Sequence, residues 1–445
     1  MDNYNMLQDR ASCAVAADRG GGTKTARYYV LINPHSGSGK ALKLFQQYLQ
    51  PLLHAANIHS HVALTSESDG LFFGQAGQAY ELIGSLDLGE WDAIVTVGGD
   101  GQLHEVINAL LLRPDRLRAL RTPLLLFPGG SGNAVIITAL TAAGKQCKQS
   151  ELSGEAACLA LAGSRIPLKL MHVQTAKRDF LSCVSLGWGL LANIDIESEK
   201  FRSILGGQRF ALYSVYRILT KLESYPGRLW FKPVAPEFSL DQLKATLHNK
   251  PATQSTSETN YSQKCCQCAK CSMLTPSDQS SCLPGDQSDP ASFLTPHDLC
   301  PLPPLSTTPS PDDGWTLQEG QFTFVYAVCV SHIGPDIHYM PPARLDEGVI
   351  WLSYCNTKVT RSQLFRYLLG CSSGEHIRLP FVKVVPVVGF RLEVSGGCLV
   401  VDGEVVSDGG PTPIQACMSS LTASMAGLPE TRPPVLKHAT PQHTH

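Results

Sequence analysis

The sequence has no apolar run long enough to cross a bilayer and no strong excess of charge of either sign. A membrane-spanning helix needs about 20 consecutive apolar residues, whereas the apolar stretches at 124–127 and 322–330 have only the length of β-strands. The formal net charge of −2 at pH 7 is too small to gather nucleic acid around the protein. We therefore expect no nucleic-acid partner, and any membrane contact must come from a local patch of the surface.

Targeting signals are also lacking in the first residues. The segment MDNYNMLQDR has neither the basic start nor the apolar core of a secretory leader. Asp2 stands where N-myristoylation would require glycine. We therefore expect a cytoplasmic protein that associates reversibly with membranes, in which the 15 cysteines are reduced thiols rather than a disulfide framework.

The length of the chain and its patterns predict two domains. A chain of 445 residues is longer than a single hydrophobic core usually supports. Between residues 27 and 165, short buried-strand patterns (28–32, 61–64, 93–97 and 123–127) alternate with helical patterns (40–56, 75–86 and 103–112). This alternation predicts an α/β domain with a mainly parallel sheet wrapped by helices.

Residues 166–424 predict a second domain of antiparallel β-structure, a sandwich or a barrel. Its strand-like runs lie at 168–175, 180–187, 228–234, 322–330, 348–355 and 390–394, with one helical stretch at about 201–222. The segment 235–314 is rich in Pro, Ser, Thr, Gln and Cys, and it has too few large aliphatic residues to offset the entropy of ordering. We predict that it is a disordered insertion, where regulatory proteins or kinases could bind, and that 1–26 and 425–445 are disordered tails.

Three glycine-rich turns each follow a strand and precede a helix. They are NPHSGSGK (33–40), GGDG (98–101) and PGGSGN (128–133). Ligands of parallel α/β sheets bind at the carboxyl ends of the strands, where helix N-termini attract phosphate. One such turn could simply be a tight connection, but three in succession indicate a nucleotide site. It is not a P-loop, because Pro34 replaces the first glycine of that motif and no Ser or Thr follows Lys40.

Together with VDGE (401–404), these turns resemble the catalytic core of the diacylglycerol kinase superfamily. The segments PLKLMHVQT (167–175) and SLGWGLLANIDIESEKFR (185–202) resemble its sphingosine kinase branch, and the resemblance covers about 28–235 and 315–415. It implies a nucleotide domain, a second domain that holds a sphingoid-base lipid, and ATP with Mg²⁺ in the cleft between them. The implied reaction is phosphorylation of the primary hydroxyl of sphingosine to sphingosine 1-phosphate.

The resemblance also implies roles for individual residues. Asp100 would be the catalytic base, because a carboxylate must accept the proton of the attacking hydroxyl; alternatively, it caps the helix that follows. The nucleotide would contact Asn33, Pro34, His35, Thr65, Glu105, Gly130, Arg202, Arg209, Asp402, Gly403 and Glu404, with the two arginines as phosphate clamps. The substrate would contact Gly98, Gly99, Gly101, Ser185 and Asp195. No protein ligand of Mg²⁺ is assigned, and Asp402–Gly403 equally fits a hairpin turn.

Asp195 carries the prediction of an amino-alcohol substrate. A buried carboxylate pairs with the ammonium of a sphingoid base, a charge that ceramide and diacylglycerol lack, although Asp195 could instead pair with Lys200 or Arg202. Asn193 stands where the family usually has an acidic residue, so substrate recognition is expected to be weaker or shifted. The stretch TSESDGLFFGQAG after Leu64 lacks the family's basic residue, which puts contacts to adenosine in doubt. The alternatives are a ceramide or diacylglycerol kinase, or a catalytically weakened lipid-binding regulator.

One face of the helical stretch 209–222 is apolar. Leu212, Val215, Tyr216, Leu219 and Leu222 share this face, and Arg209, Arg217 and Lys221 flank it. Such a face fits transient docking on a membrane surface, and it fits packing against the second domain equally well.

Overall fold

The computed structural model describes residues 25–65, 77–145, 148–201, 209–234, 302–407 and 413–428. These residues form one mixed sheet of 15 strands. The strands are β1 (Arg27–Ile32), β2 (His59–Leu64), β3 (Ala93–Gly98), β4 (Leu124–Pro128), β5 (Arg165–Thr175), β6 (Asp179–Ser182), β7 (Ser185–Gly189), β8 (Tyr225–Pro233), β9 (Thr316–Phe322), β10 (Phe324–Val328), β11 (Ile350–Cys355), β12 (Lys383–Val394), β13 (Leu399–Val401), β14 (Glu404–Ser407) and β15 (Pro413–Ala426).

Ten α-helices lie in the described part of the chain. They are α1 (Ala41–Leu44), α2 (Gln50–Ala55), α3 (Gln78–Ser85), α4 (Asp100–Leu112), α5 (Arg116–Ala119), α6 (Ala134–Ala142), α7 (Leu152–Leu161), α8 (Leu190–Ser198), α9 (Arg209–Thr220) and α10 (Arg361–Gly370). A π-helical turn, Phe45–Leu49, joins α1 to α2. Within these described regions, helices long and apolar enough to cross a bilayer are absent.

The first half has the predicted α/β architecture. Strands β2, β1, β3 and β4 are parallel neighbours in that order. The side chains of β1, β3 and β4 alternate between two buried faces, because successive residues of a strand point to opposite sides of the sheet. Val30 and Ile32 pack with α1, α2 and α7, whereas Leu31 packs with α3, α4 and α6 on the other face. Since all four strands end at the same edge, the loops that follow them are brought together there.

The second half is antiparallel, as predicted. Strands β13, β7, β10, β11 and β12 are each antiparallel to the next, and their inward side chains form a separate core around Trp188, Phe322 and Phe390. Strand β15 joins the two halves. It pairs with β12 and β5 over most of its length, and then with β4 at Met425 and Leu124.

Some boundaries differ from the predictions. The chain is described again from Leu302, well before the predicted end of the insertion at 314. The buried guanidinium of Arg391 donates to the carbonyls of Pro303, Pro304, Leu305 and Thr307, so this segment has polar partners that a reading of composition does not anticipate. Strand β15 extends to Ala426, past the predicted start of the C-terminal tail. Residues 1–24, 235–301 and 429–445 lie outside the described residues, so the disorder predicted there stays a prediction.

The cysteines depart in part from the expectation of reduced thiols. Cys183, Cys329, Cys355 and Cys371 are free thiols, but Cys417 on β15 is disulfide-bonded.

Candidate active site

The three glycine-rich loops pack directly against one another. A Cβ atom added at Gly130 would lie 2.4 Å from the Cα of Gly99, and one added at Gly37 would lie 2.6 Å from the carbonyl oxygen of Gly129. The amide of Gly99 also donates to the hydroxyl of Ser36, at 3.1 Å. A side chain at Gly37 or Gly130 would therefore clash with the backbone of the neighbouring loop, so glycine is required at both positions. The result is a continuous wall of backbone at the carboxyl edge of the parallel sheet.

Asp100 links the second loop to the third. Its Oδ2 accepts a hydrogen bond from the amide of Ala134 at 2.7 Å, and its Oδ1 accepts one from the amide of Val135 at 3.1 Å. The carboxylate therefore caps α6, not the helix α4 in which it lies, so the capping alternative named the wrong helix. Burial raises the pKa of Asp100, and the two amides oppose that shift. The carboxylate is thus held in one orientation and is more basic than an ordinary aspartate.

Most of the predicted site residues line one cleft of about 590 Å³. From the first half of the chain these are Asn33, His35, Gly99, Asp100, Gly101, Glu105 and Gly130. From the second half they are Ser185, Asp195, Arg209, Asp402, Gly403 and Glu404. The cleft has a volume typical of small-molecule sites, and it brings the glycine loops to Ser185, Asp195 and Arg209, as the resemblance implies.

Other predicted residues lie elsewhere. Gly98 lines a smaller cavity next to Asp100. Pro34 and Thr65 are not among the residues that line the cleft, and the Thr65 hydroxyl donates to the carbonyl of Ile32 at 3.4 Å. Arg202 and the stretch 66–76 lie outside the described residues, so a phosphate contact by Arg202 stays a prediction.

Asp402 is the most extensively hydrogen-bonded carboxylate of the site. It occupies the tight turn between β13 and β14 with φ of +49°, followed by Gly403 with φ of +88°, so the hairpin reading is correct. Its side chain is fully buried. Five donors reach its oxygens at 2.7–3.0 Å: His104 Nδ1, the Ser182 hydroxyl and the amides of Cys183, Val184 and Ser185. Asp402 therefore ties α4 and the β6–β7 connection to this turn.

The pKa of Asp402 reflects these bonds. Burial alone would raise the pKa, but the hydrogen bond and charge of His104, together with the backbone amides, outweigh it and hold the pKa of Asp402 below its usual value. The backbone of this turn and Glu404 line the cleft, whereas the carboxylate of Asp402 is hydrogen-bonded to donors of the protein. A direct contact between that carboxylate and a nucleotide stays a prediction.

Arg209 and Asp195 lie near each other at the other end of the cleft. Asp195 is in helix α8, not in a loop, and its Oδ1 is 3.8 Å from Nη2 of Arg209. Arg209 is only 2% exposed, and its Nη1 donates to Glu199. Arg209 is therefore held by carboxylates inside the protein rather than surrounded by solvent. Sequence reasoning missed Glu199, because nothing in the pattern ANIDIESEK distinguishes it from Glu197.

Asn193 lies outside the cleft. Its side-chain amide donates to the hydroxyl of Tyr225 at 2.9 Å, and its side-chain oxygen accepts from the amide of Cys398 at 3.0 Å. It is 5% exposed and joins α8 to β8 and to the chain before β13. Asn193 is therefore not part of the lining of the cleft, and a weaker or shifted recognition of the substrate stays a prediction.

The carboxylates of the cleft suit a hard cation such as Mg²⁺. Asp100, Glu105 and Glu404 line the cleft with carboxylate oxygens, the type of ligand that Mg²⁺ prefers. No group of three or more His, Cys, Asp or Glu side chains within the described regions has an arrangement that could hold a metal. A magnesium site therefore stays a prediction, and at most two of these carboxylates would hold the ion together with water and substrate phosphates.

Comparisons with known proteins agree with this fold and cleft. The diacylglycerol kinase catalytic domain matches residues 27–173. Two solved chains from Bacillus anthracis str. Sterne have the same architecture. One aligns with a TM-score of 0.54 and 17% identity over 93% of this chain and 98% of its own. The other, a diacylglycerol kinase, aligns with a TM-score of 0.50 and 16% identity over 92% and 99%. At this identity the two structures establish the fold alone, and they define a protein built on the diacylglycerol kinase architecture.

The sequence relatives identify the family to which the chain belongs. Sphingosine kinase 1 of Homo sapiens is 33% identical over 86% of this chain and 87% of its own length. Sphingosine kinase 1 of Rattus norvegicus is 32% identical over 86% and 87%, and that of Caenorhabditis elegans is 31% identical over 85% and 77%. The chain belongs to the sphingosine kinase family and is a lipid kinase by class.

The Asp402 cluster generates a prediction about stability. Replacing Asp402 by Asn leaves at least one buried donor without an acceptor, and we expect the free energy of unfolding at pH 7 to fall by about 3 kcal/mol. Since the folded-state pKa of Asp402 is depressed, its contribution is present above the unfolded value of about 4 and is lost as the pH falls through the folded value. The variant should therefore lose less stability than the wild type on acidification.

Urea unfolding between pH 3 and pH 7 measures both effects. Asp346→Asn is the matched control, because Asp346 forms a partly exposed pair with Arg344 that is worth at most about 1 kcal/mol. Equal losses for the two variants at pH 7 would contradict the central place of Asp402.

Proposed function

We propose that the protein transfers the γ-phosphoryl group of ATP to the primary hydroxyl of a sphingoid base, giving sphingosine 1-phosphate when the base is sphingosine. One observation carries the proposal: Asp100 and Asp195 line the same cleft, together with the glycine loops. The first carboxylate can accept a proton from a hydroxyl, and the second can pair with an ammonium. A long-chain amino alcohol presents these two groups on adjacent carbons.

The phosphates of ATP would lie against the glycine loops and the start of α4. Gly99 precedes this 13-residue helix without a side-chain cap, so the helix presents amides and the positive end of its dipole. Arg209 would add positive charge, although Glu199 already bonds it. When bound, Mg²⁺ would neutralise charge on the phosphates, with Glu105 and Glu404 as its candidate ligands.

Asp100 would accept the proton of the attacking hydroxyl. The amides of Ala134 and Val135 take up one acceptor position on each of its oxygens, and each carboxylate oxygen has a further lone pair for the substrate. The hydroxyl would thereby be fixed in line with the γ-phosphorus. Positioning of this kind contributes more to phosphoryl transfer than covalent chemistry does.

A neutral lipid such as ceramide or diacylglycerol is the competing substrate class. Neither carries an ammonium to pair with Asp195, whose side chain lines the cleft and is 32% exposed. A catalytically weakened regulator is disfavoured because Asp100 is present and oriented.

Asp100→Asn tests the base. We expect kcat to fall by at least about 100-fold, with ATP binding retained, in ATP-dependent labelling of sphingosine. Asp92→Asn is the control at the opposite end of β3, where the carboxylate accepts the amide of Arg27; it should keep the wild-type rate. A variant Asp100→Asn that is as fast as the wild type would exclude Asp100 as the base.

Asp195→Asn tests the choice of substrate. We expect kcat/KM for sphingosine to fall by about 10- to 100-fold, because a charge-assisted bond to the ammonium is lost, while the low rates with ceramide and diacylglycerol stay unchanged. Glu197→Gln, on the same helix but bonded to Tyr213 and Arg217, is the control. A wild-type preference for a neutral lipid would defeat the proposed role of Asp195.

We further propose that α9 touches the membrane transiently, so that the cytoplasmic enzyme can reach its lipid. Leu212, Val215, Tyr216 and Leu219 are 54%, 43%, 56% and 56% exposed, whereas Arg217 is buried in ion pairs with Glu197 and Glu223. The apolar face, rather than flanking cations, would therefore drive docking. Contacts of regulatory proteins with 235–314 remain a prediction.

Sedimentation with phosphatidylcholine vesicles measures this docking. The double variant Leu212→Ser/Leu219→Ser should bind at least about 10-fold more weakly, and the wild-type binding should depend little on salt. Leu117→Ser, at an equally exposed leucine of α5, is the control. Unchanged binding of the double variant would assign membrane contact to another surface.

A further inference from the structure

A pair of neutral hydroxyls lies in the wall of the cleft that the second half of the chain provides. The hydroxyls of Ser185 on β7 and Tyr326 on β10 are 3.1 Å apart and hydrogen-bonded. Both residues line the cleft, and they are the ones on this wall that carry an uncharged hydroxyl. Tyr326 belongs to no motif of the sequence.

Packing fixes the ring of Tyr326. Gly187 lies opposite Tyr326 in the antiparallel register, and a Cβ atom there would approach the ring to 2.7 Å. The ring also meets Tyr339 edge to face, with centroids 5.1 Å apart. Because Gly187 and Tyr339 restrict the ring, it loses little conformational entropy when it binds a ligand, and its hydroxyl is preorganised.

The hydroxyl of Tyr326 lies in the field of two of the carboxylates on this wall, Asp195 and Asp402. Burial raises the pKa of Tyr326 strongly, the bond to Ser185 opposes this, and the charges of Asp195 and Asp402 raise the pKa further. Tyr326 is therefore a neutral donor and acceptor throughout the pH range in which the enzyme works. Asp195, Ser185 and Tyr326 line the same cleft, so a lipid whose ammonium pairs with Asp195 can present a neighbouring polar group to the hydroxyl pair.

We propose that Tyr326, together with Ser185, binds the second hydroxyl of a long-chain 2-amino-1,3-diol, and so selects the diol over an amino alcohol with the primary hydroxyl alone. The inference rests on the proposed function, because the ammonium must pair with Asp195. In the Ser185–Tyr326 pair one donor is used between the two residues, which leaves one donor and several lone pairs for the substrate. Since the two hydroxyls satisfy each other without a ligand, the selectivity should be moderate.

The test compares two lipids of equal chain length, a 2-amino-1,3-diol and the 2-amino-1-ol without the second hydroxyl. We expect the wild type to prefer the diol in kcat/KM by about 3- to 10-fold. Tyr326→Phe should lower kcat/KM for the diol to that of the 2-amino-1-ol and leave the 2-amino-1-ol rate unchanged. Ser185→Ala should have a similar effect, and the double variant should lose less than the product of the single losses, because the residues are in contact.

Tyr354→Phe is the control, since Tyr354 lies on the adjacent strand β11, is 5% exposed and packs within the same half of the protein. A merely structural role of Tyr326 would lower the rates with both lipids alike and leave their ratio unchanged, and this result would overturn the inference. Equal wild-type rates with both lipids would also overturn it while leaving the proposed function intact. Failure of the wild type to phosphorylate either lipid would instead reject the proposed function, and the inference with it.

Discussion

The buried carboxylate of Asp402 is the interaction on which the geometry of the cleft depends. Its hydrogen bonds join the turn between β13 and β14 to His104 in α4 and to the connection that begins β7. Asp100 lies one helical turn before His104, and Ser185 begins β7. The distance between the base and the substrate wall is therefore set by donors that converge on one side chain. A buried carboxylate is tolerated here because each of its oxygens accepts several hydrogen bonds, and these offset the free-energy cost of desolvation.

The glycine loops have a structural role that is easily mistaken for a purely chemical one. In the resemblance to kinases, glycines let the backbone approach phosphate. In the structure, Gly99 and Gly130 also let two loops approach each other more closely than side chains permit. Both roles follow from the absence of a Cβ atom. The close packing explains how the three turns form a single wall, in which the amides of Gly99, Gly129 and Gly130 donate to the Ser36 hydroxyl, the Gly98 carbonyl and the Asn133 side chain.

Local patterns predicted the architecture, but they did not predict side-chain environments. The alternation of strands and helices in 27–165 predicts that the glycine turns lie at one edge of a parallel sheet. The structure confirms this, because the handedness of the crossover connections and the direction of the strands allow few other topologies. The burial of Arg209 and the helical position of Asp195 depend on packing between α8 and α9, which no local pattern encodes. Asp402 bonds to residues 217 to 298 positions away, and Tyr326 resembles any other residue of an alternating strand.

The guanidinium of Arg209 connects the proposed nucleotide and lipid sites. Arg209 is nearly buried and lies near both Glu199 and Asp195, so its guanidinium is shared between these two carboxylates. A phosphate that attracts Arg209 must compete with Glu199, and any shift of the guanidinium changes the field at Asp195. Nucleotide and lipid are therefore expected to influence each other through Arg209, since the guanidinium proposed to bind phosphate lies 3.8 Å from the carboxylate of Asp195.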